Sequence, residues 1–153
     1  MPKLDLAAIP QVNTTGYPAP YDRDVAGRFV RRLRPAAGLT DLGATHVVLK
    51  PGAWSSQRHW HAEEDELVVI LSGEAVLVED DGETVLRAGD VAAWPKVVRN
   101  GHCLQNRSDA DCVMIAVSAG DTAKDWGEYP DIDLKFVGRD YFHKDGTPYP
   151  PKG

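Results

Sequence analysis

Cysteine is scarce in this sequence, with Cys103 and Cys112 as the only two among 153 residues. Two thiols cannot build a disulfide framework, and in the cytosol thiols stay reduced by default. No apolar run approaches the roughly 20 residues that a membrane-spanning helix needs. The first residues carry neither the charged region nor the apolar region of a secretory signal peptide. We therefore expect a cytoplasmic protein that does not bind a membrane.

Positive charge is also in short supply. The chain has 17 Lys and Arg against 23 Asp and Glu, which gives a net charge of −6. A nucleic-acid-binding domain needs a basic patch or stripe, and the one basic run here spans residues 28–34. We interpret that run as a solvated face of a strand or helix, because the rest of the chain is acidic. We expect no nucleic-acid partner.

Glycine and proline, by contrast, are plentiful, with 14 and 11 residues. This composition favours many short strands and tight turns over a helix bundle, and the length fits one domain. Short β-branched or alternating runs, separated by turn signals, predict an all-β sandwich or barrel. The predicted strands cover residues 43–50, 66–71, 74–79, 84–87, 91–94, 101–106 and 112–118.

The two ends of the chain differ in composition from this β region. Residues 1–27 are rich in turn formers and predict an extended N-terminal arm, followed by a β-barrel over residues 28–119. Residues 120–153 combine turn formers with aromatic side chains and predict a C-terminal tail that packs on the barrel. Such arms can exchange between subunits or cover a sheet edge. Because two-fold dimers are the commonest assembly, we expect a homodimer.

Histidine supplies the candidate functional site. His59 and His61 are separated by one residue, so on a strand both imidazoles point to the same face. Glu66 begins the next apolar run, and His102 lies in a later predicted strand. Three imidazoles and one carboxylate suit a single divalent ion: Zn, Fe, Mn, Ni or Co. The alternative is a pair of hydrogen-bonded strand histidines with Glu66 on a solvated rim.

These residues resemble the two motifs of the cupin superfamily. The first cupin motif consists of Gly, His-x-His, Glu and Gly at fixed spacings, which are matched by Gly52, His59, His61, Glu66 and Gly73. The leading spacer is one residue longer than usual, and the six residues from Glu66 to Gly73 select Glu66 as the carboxylate. The resemblance covers residues 43–118.

The second cupin motif is matched only in part. Gly89 and Pro95 fit its first half, and His102 and Asn106 fit its second half. Between the halves, Val97 stands where the family has Gly, and the distance from Pro95 to His102 is two residues longer. An alignment without this insertion would place Asn100 at the ligand position, whereas the spacing to Asn106 favours His102.

The resemblance implies a cupin double-stranded β-helix, or jelly-roll barrel, that holds one divalent metal ion in its mouth. Small cupins include sugar or sugar-phosphate isomerases and epimerases, oxygenases and lyases, and the fold does not choose among them. We expect a metal-dependent enzyme acting on a small polar molecule. The alternatives are a metal- or metabolite-binding sensor without catalysis, and a structural barrel with a vestigial site.

Few residues are candidates for catalysis or substrate binding beside the metal. Glu64 shares the strand parity of Glu66 and is the one candidate for a catalytic acid or base. Gln57 shares the face of the two histidines and is predicted to line the mouth. Lys96 and Arg99 follow the second motif's proline and could bind an anionic substrate, with solvated loop cations as the alternative.

Overall fold

The computed structural model describes residues 2–152, and strands dominate this part of the chain. The elements are a 3₁₀ helix (Leu6–Ala8), β1 (Gln11–Val12), β2 (Arg28–Arg32), α1 (Leu33–Ala37), β3 (Leu42–Leu49), β4 (Glu64–Ser72), β5 (Glu74–Glu79), β6 (Gly82–Arg87), β7 (Val91–Trp94), β8 (Cys103–Gln105), β9 (Cys112–Gly120), β10 (Trp126–Tyr129), β11 (Leu134–Val137) and β12 (Asp140–Phe142). No helix in residues 2–152 is long and apolar enough to cross a membrane.

Two antiparallel sheets face each other across the main hydrophobic core. The larger has the order β1-β2-β3-β9-β4-β7, and the smaller has the order β6-β5-β8. Strand alternation sends every second side chain inward, so Leu49 and Ile70 of the larger sheet meet Leu77 and Leu104 of the smaller one. The predicted all-β jelly roll is therefore confirmed, as an open pair of sheets.

The predicted strands recur with small shifts at their ends. The strands at residues 74–79 and 91–94 coincide with β5 and β7, whereas β4 begins at Glu64, two residues earlier than predicted. The predicted strand at 101–106 shortens to β8. The earlier start of β4 places Glu64 and Glu66 on the same face of one continuous strand, which matters for the site.

The segments predicted as arms share a second hydrophobic cluster. Residues 126–142 form an antiparallel sheet of their own, in the order β10-β11-β12. Its buried side chains Tyr129, Leu134 and Phe136 pack against Tyr17 and Val25 from the N-terminal segment. The aromatic residues of the C-terminal segment thus serve for packing, as predicted, and they do so from a regular sheet.

The insertion between the two halves of the second motif has a strained backbone. Val97 has a φ of 65°, and its backbone N–H donates to the carbonyl oxygen of His61 at 3.1 Å. A positive φ is unfavourable for a β-branched residue and free of strain for glycine. The backbone at Val97 therefore keeps the conformation that suits the glycine of the family motif.

Candidate metal centre

The cluster is built on a short backbone bridge. His59 and His102 form an isolated antiparallel pair, in which the N–H of each donates to the carbonyl of the other, at 3.2 and 2.9 Å. The predicted strand around His59 is thus reduced to one bridge. The alternation nevertheless holds, because the Nε2 atoms of His59 and His61 lie 3.0 Å apart.

Glu66 joins the three imidazoles from strand β4. Its Oε2 lies 2.6 Å from His102 Nε2, and its Oε1 lies 3.3 Å from His61 Nε2. Asn100 is excluded from this group, because its side chain donates to Glu79 and accepts from the backbone N–H of Asp80. The structure thus brings together the four residues predicted as ligands, with His102 in the place that the sequence left open.

All three imidazoles are anchored through Nδ1. His59 Nδ1 lies 2.8 Å from the carbonyl oxygen of Gln57, and His102 Nδ1 lies 3.0 Å from that of Asn100. His61 Nδ1 lies 2.5 Å from Oδ2 of Asp125. Carbonyl and carboxylate oxygens only accept, so each Nδ1 carries a proton and donates it. Hydrogen bonds of this kind fix the tautomer of histidine ligands in metal sites.

Ligand atoms of His59, His61 and Glu66 lie close enough together to share one ion, and His102 joins this group through Glu66 Oε2. Imidazole nitrogens and carboxylate oxygens bind such metals at about 2.0 to 2.2 Å, which separates neighbouring ligand atoms by about 3.0 to 3.4 Å. The nearest contacts between cluster atoms run from 2.6 to 3.3 Å. His59, His61 and Glu66 each present a ligand atom within 4.8 Å of the others. Nitrogen and oxygen ligands of this type suit Zn, Fe, Mn, Ni and Co.

Asp125 is a functional residue that the sequence did not indicate. It lies just before β10, is 1% exposed, and accepts from the backbone N–H of Glu63 through Oδ1 at 2.8 Å. Its Oδ2 bonds His61, as described above. The two residues are 64 positions apart, and no motif connects them. Only the docking of the C-terminal segment on the jelly roll brings this carboxylate to the imidazole.

Burial and ion pairing push the pKa values of the cluster apart. Burial lowers the pKa of His59 to about 4. Burial also acts to lower the pKa of His61, but the hydrogen bonds to Asp125 and Glu66 outweigh it and raise that pKa to about 10. Burial opposes the charge of Glu66, yet the bonds from His102 and His61 hold its pKa well below the ordinary value. Without metal, His61 is therefore a cation at neutral pH, and a metal ion bound at Nε2 would have to displace a proton.

Glu64 lies in the same cavity, beside this cluster. Its Oε2 is 3.5 Å from His61 Nδ1, and its Oε1 accepts from the hydroxyl of Thr122 at 3.3 Å. Burial raises the pKa of the Glu64 carboxyl; His61 opposes the rise and the negative charge of Asp125 adds to it. Glu64 is thus a carboxylate near the cluster that bonds no Nε2 atom, and it retains its role as the candidate acid or base.

The three residues predicted to bind substrate lie elsewhere. The amide of Gln57 donates to the carbonyl of Tyr21 and to Asp24, because residues 55–58 leave regular strand geometry and the side chain turns toward the N-terminal segment. The guanidinium of Arg99 lies 4.9 Å from the ring of Trp60, outside the cavity. Lys96 is exposed and also does not line the cavity. Gln57 therefore does not line the mouth as predicted, and a role of these three residues in substrate binding stays a prediction.

One cavity of about 510 Å³ connects the cluster to solvent. Trp94 forms part of its wall and stacks flat on the ring of His102, with centroids 3.9 Å apart and planes 4° from parallel. The indole N–H of Trp94 donates to Glu79 at 2.9 Å, which fixes the ring. The volume lies within the range of small-molecule sites.

The fold and the cluster define the class of this protein: an all-β jelly roll whose cavity holds a group of histidine and glutamate side chains that could bind a metal ion. The family model described as "Cupin domain" matches residues 45–118. The chain belongs to the cupin superfamily. None of the curated proteins compared matches this chain.

Solved structures support the same assignment. A protein described as a sugar phosphate isomerase from a cupin superfamily, from Silicibacter pomeroyi, is 38% identical, with 97% of each chain covered and a TM-score of 0.90. A Cupin 2 conserved barrel domain protein from Salinispora arenicola is 26% identical over 78% of this chain and 87% of its own, with a TM-score of 0.56. The polyketide cyclase RemF from Streptomyces resistomycificus shares the fold at 17% identity, covering 79% and 80% of the two chains, with a TM-score of 0.64.

Proposed function

We propose that this protein is a metal-dependent isomerase of a sugar or sugar phosphate. The observation that carries the proposal is the cluster of His59, His61 and Glu66, with His102 bonded to Glu66 and the carboxylate of Glu64 in the same cavity. The 38% identity to a protein described as a sugar phosphate isomerase, over 97% of both chains, supports it.

The metal would be held by His59, His61, Glu66 and His102. When bound, such an ion supplies a Lewis acid that polarises the carbonyl and the neighbouring hydroxyl of a sugar. The protein's own contribution to orientation comes from the Nδ1 anchors. Asp125 and the two backbone carbonyls hold each ring in one tautomer, so the ligand set is organised before the metal arrives.

Isomerisation between an aldose and a ketose moves one hydrogen between adjacent carbons and leaves the formula unchanged. In this proposal, Glu64 takes the proton from the carbon that bears the hydroxyl and returns it to the former carbonyl carbon. The hydroxyl proton passes to the former carbonyl oxygen, so no oxidant or reductant is needed. A carboxyl whose pKa is raised by burial is a stronger base than an ordinary one, which suits this task.

The test is an isomerisation assay on protein of defined metal content. The protein is stripped with a chelator, reloaded separately with Mn, Fe, Co, Ni or Zn, and incubated in D₂O with a panel of aldoses, ketoses and their phosphates. We expect metal-dependent conversion of at least one pair, with deuterium entering the product at the carbon that receives the proton. Dioxygen consumption by the Fe form would instead indicate an oxygenase and overturn the proposal.

Variants at the neighbouring residues Glu63 and Glu64 distinguish a catalytic role of the Glu64 carboxylate from a structural one. Glu64→Gln should lower kcat about 10²-fold to 10⁴-fold, the usual contribution of a general base, with unchanged metal content. Glu63→Gln is the matched control, because Glu63 does not line the cavity, and it should keep full activity. Stoichiometric metal binding without turnover of any substrate in the panel would favour a non-catalytic binding protein and contradict the proposal.

A further inference from the structure

Three arginine side chains line the cavity of the metal centre: Arg28, Arg32 and Arg139. Within residues 2–152, none of the three has a carboxylate oxygen within 4.0 Å. This stands out because the chain as a whole is acidic, with a net charge of −6. Guanidinium groups that face a cavity without an acidic partner are suited to binding an anionic ligand.

Strand β2 explains how two of these arginines reach the cavity. Alternation sends Arg28, Val30 and Arg32 to the inner face of the larger sheet and Arg31 to the outer face. The basic run at residues 28–34 is therefore not simply a solvated face. Arg139 comes from the turn between β11 and β12, so the C-terminal sheet supplies the third cation.

Arg28 is the most firmly placed of the three. It is half-buried, and its Nη1 donates to the carbonyl oxygen of Ser55 at 2.7 Å. A guanidinium carries five N–H donors, so this bond fixes the side chain and leaves the others for a ligand. Tyr17 and Tyr141 also line the cavity, and the charge of Arg28 opposes the rise that burial causes in the pKa of both hydroxyls.

The remaining polar groups of the cavity divide into two sets. The acidic ones, Glu64, Glu66 and Asp125, all face His61 and belong to the metal centre. The others are uncharged hydroxyls, which suit a ligand with several hydroxyl groups: Thr45, Ser55, Ser56, Ser118 and Thr122, together with Tyr17, Tyr129 and Tyr141. The cavity thus presents a metal centre, a hydroxyl-lined wall and unpaired guanidinium groups.

We propose that Arg28 binds the phosphate group of a polyhydroxylated ligand whose other end reaches the metal centre, and that Arg32 and Arg139 add positive charge to the same cavity. A phosphate carries up to two negative charges and three acceptor oxygens, so guanidinium groups attract it more strongly than they attract a singly charged carboxylate. The proposal rests on the proposed function and narrows its substrate class from sugars in general to phosphorylated sugars.

The test is equilibrium binding to the metal-loaded protein by calorimetry at fixed ionic strength. The probes are glucitol 6-phosphate, glucitol, gluconate and inorganic phosphate, none of which has a carbonyl to isomerise. We expect glucitol 6-phosphate to bind at least about tenfold more tightly than glucitol or gluconate, because hydrogen bonds to charged groups are the strong ones. Equal affinity for glucitol and glucitol 6-phosphate would overturn the proposal.

Substitutions locate the phosphate group. Arg28→Met should weaken glucitol 6-phosphate binding about tenfold to hundredfold and leave glucitol binding unchanged. Arg139→Met, at an exposed position that tolerates change, should weaken the same probe and keeps the test valid if Arg28→Met does not fold. Arg23→Met is the matched control, since Arg23 is exposed and lies outside the cavity. An equal loss for both probes in the Arg28 and Arg139 variants would contradict the assignment.

The outcomes separate this proposal from the proposed function. Because the probes are not turned over, tight binding of glucitol 6-phosphate without any isomerisation by the same preparation would support the phosphate site and refute the isomerase. Isomerisation of an uncharged sugar, with no preference for its phosphate, would support the isomerase and refute the phosphate site.

Discussion

Replacement of Asp125 by Asn should change which ring nitrogen of His61 carries the proton, and this should weaken metal binding. In the native protein one carboxylate oxygen accepts from the backbone N–H of Glu63 and the other from His61 Nδ1, at 2.8 and 2.5 Å. Asparagine has a single side-chain oxygen, which would accept the hydrogen bond from the backbone N–H of Glu63. The amide NH₂ would then face His61 Nδ1, which must accept, so the imidazole proton moves to Nε2 and blocks the metal position.

The expected magnitude follows from this change of tautomer. Loss of an outer partner of a metal-bound histidine typically costs about 10-fold to 100-fold in metal affinity, or about 1.4 to 2.7 kcal/mol. A second effect acts in the opposite direction. Asp125 helps to raise the pKa of His61 to about 10, so in the native protein a metal must displace a proton at neutral pH.

Metal affinity measured as a function of pH separates the loss of the Asp125 partner from the weaker competition by a proton on His61. In the native protein, metal affinity should rise about tenfold per pH unit between about pH 6.5 and pH 8.5, since His61 binds a competing proton throughout that window. In Asp125→Asn the pKa of His61 falls, so the rise should be shallower and the variant's deficit should grow toward high pH. A merely structural role for Asp125 would lower affinity equally at all pH values.

The assay is competition for Zn or Mn with a chromophoric chelator, carried out on both proteins across that pH range. Asp140→Asn is the matched control, because Asp140 is an exposed carboxylate of the same C-terminal sheet and does not line the cavity. Unfolding midpoints of the metal-free proteins establish that both variants fold. Identical affinity and identical pH dependence in Asp125→Asn and the native protein would refute the reasoning.

Four further predictions concern the cluster, the fold and the assembly. The double variant His59→Ala, His61→Ala should lose its metal by elemental analysis and keep its far-ultraviolet circular dichroism; unchanged metal content would refute the site. In metal-free protein, the unfolding free energy should fall as pH drops from 6.5 toward 4, because folded His59 and Glu66 both resist protons that the unfolded chain takes up; a flat profile would argue against both shifts. Val97→Gly should raise the unfolding free energy by about 1 kcal/mol, since it removes a positive φ from a β-branched residue, and a loss of stability would show that the backbone is not strained. The homodimer stays a prediction, and sedimentation equilibrium should give twice the 16.7 kDa of one chain rather than that mass alone.

The part of the site that the sequence predicts is the part built from local spacing. His59 and His61 lie two residues apart, and Glu64 and Glu66 lie two residues apart, so the period of an extended chain fixes which side chains share a face. The resemblance to the second cupin motif adds His102, through its distance to Asn106, a fully buried residue whose amide donates to the carbonyls of Leu49 and Ala110. Periodicity likewise located β3 to β9, with shifts only at their ends.

The rest of the site depends on contacts between distant segments. Asp125 reaches His61 because the C-terminal sheet docks against residues 60–63, just before β4, and nothing in the residues around it marks this contact. Arg28 lines the cavity because β2 pairs with β3 inside the larger sheet, a register that composition alone does not reveal. The prediction that Gln57 lines the mouth assumed that strand alternation continues through this residue. The chain is irregular there, and the amide of Gln57 instead donates to Tyr21 and Asp24.

The stacking of Trp94 on His102 gives the protein a built-in optical reporter. An indole 3.9 Å above a ligand imidazole senses any change in that ring's charge or electron density. Paramagnetic ions such as Mn, Fe, Co or Ni at His102 should quench the emission of Trp94, whereas Zn, with a filled d shell, should leave it bright. Fluorescence titration could therefore report both occupancy and the class of ion in a single unlabelled sample.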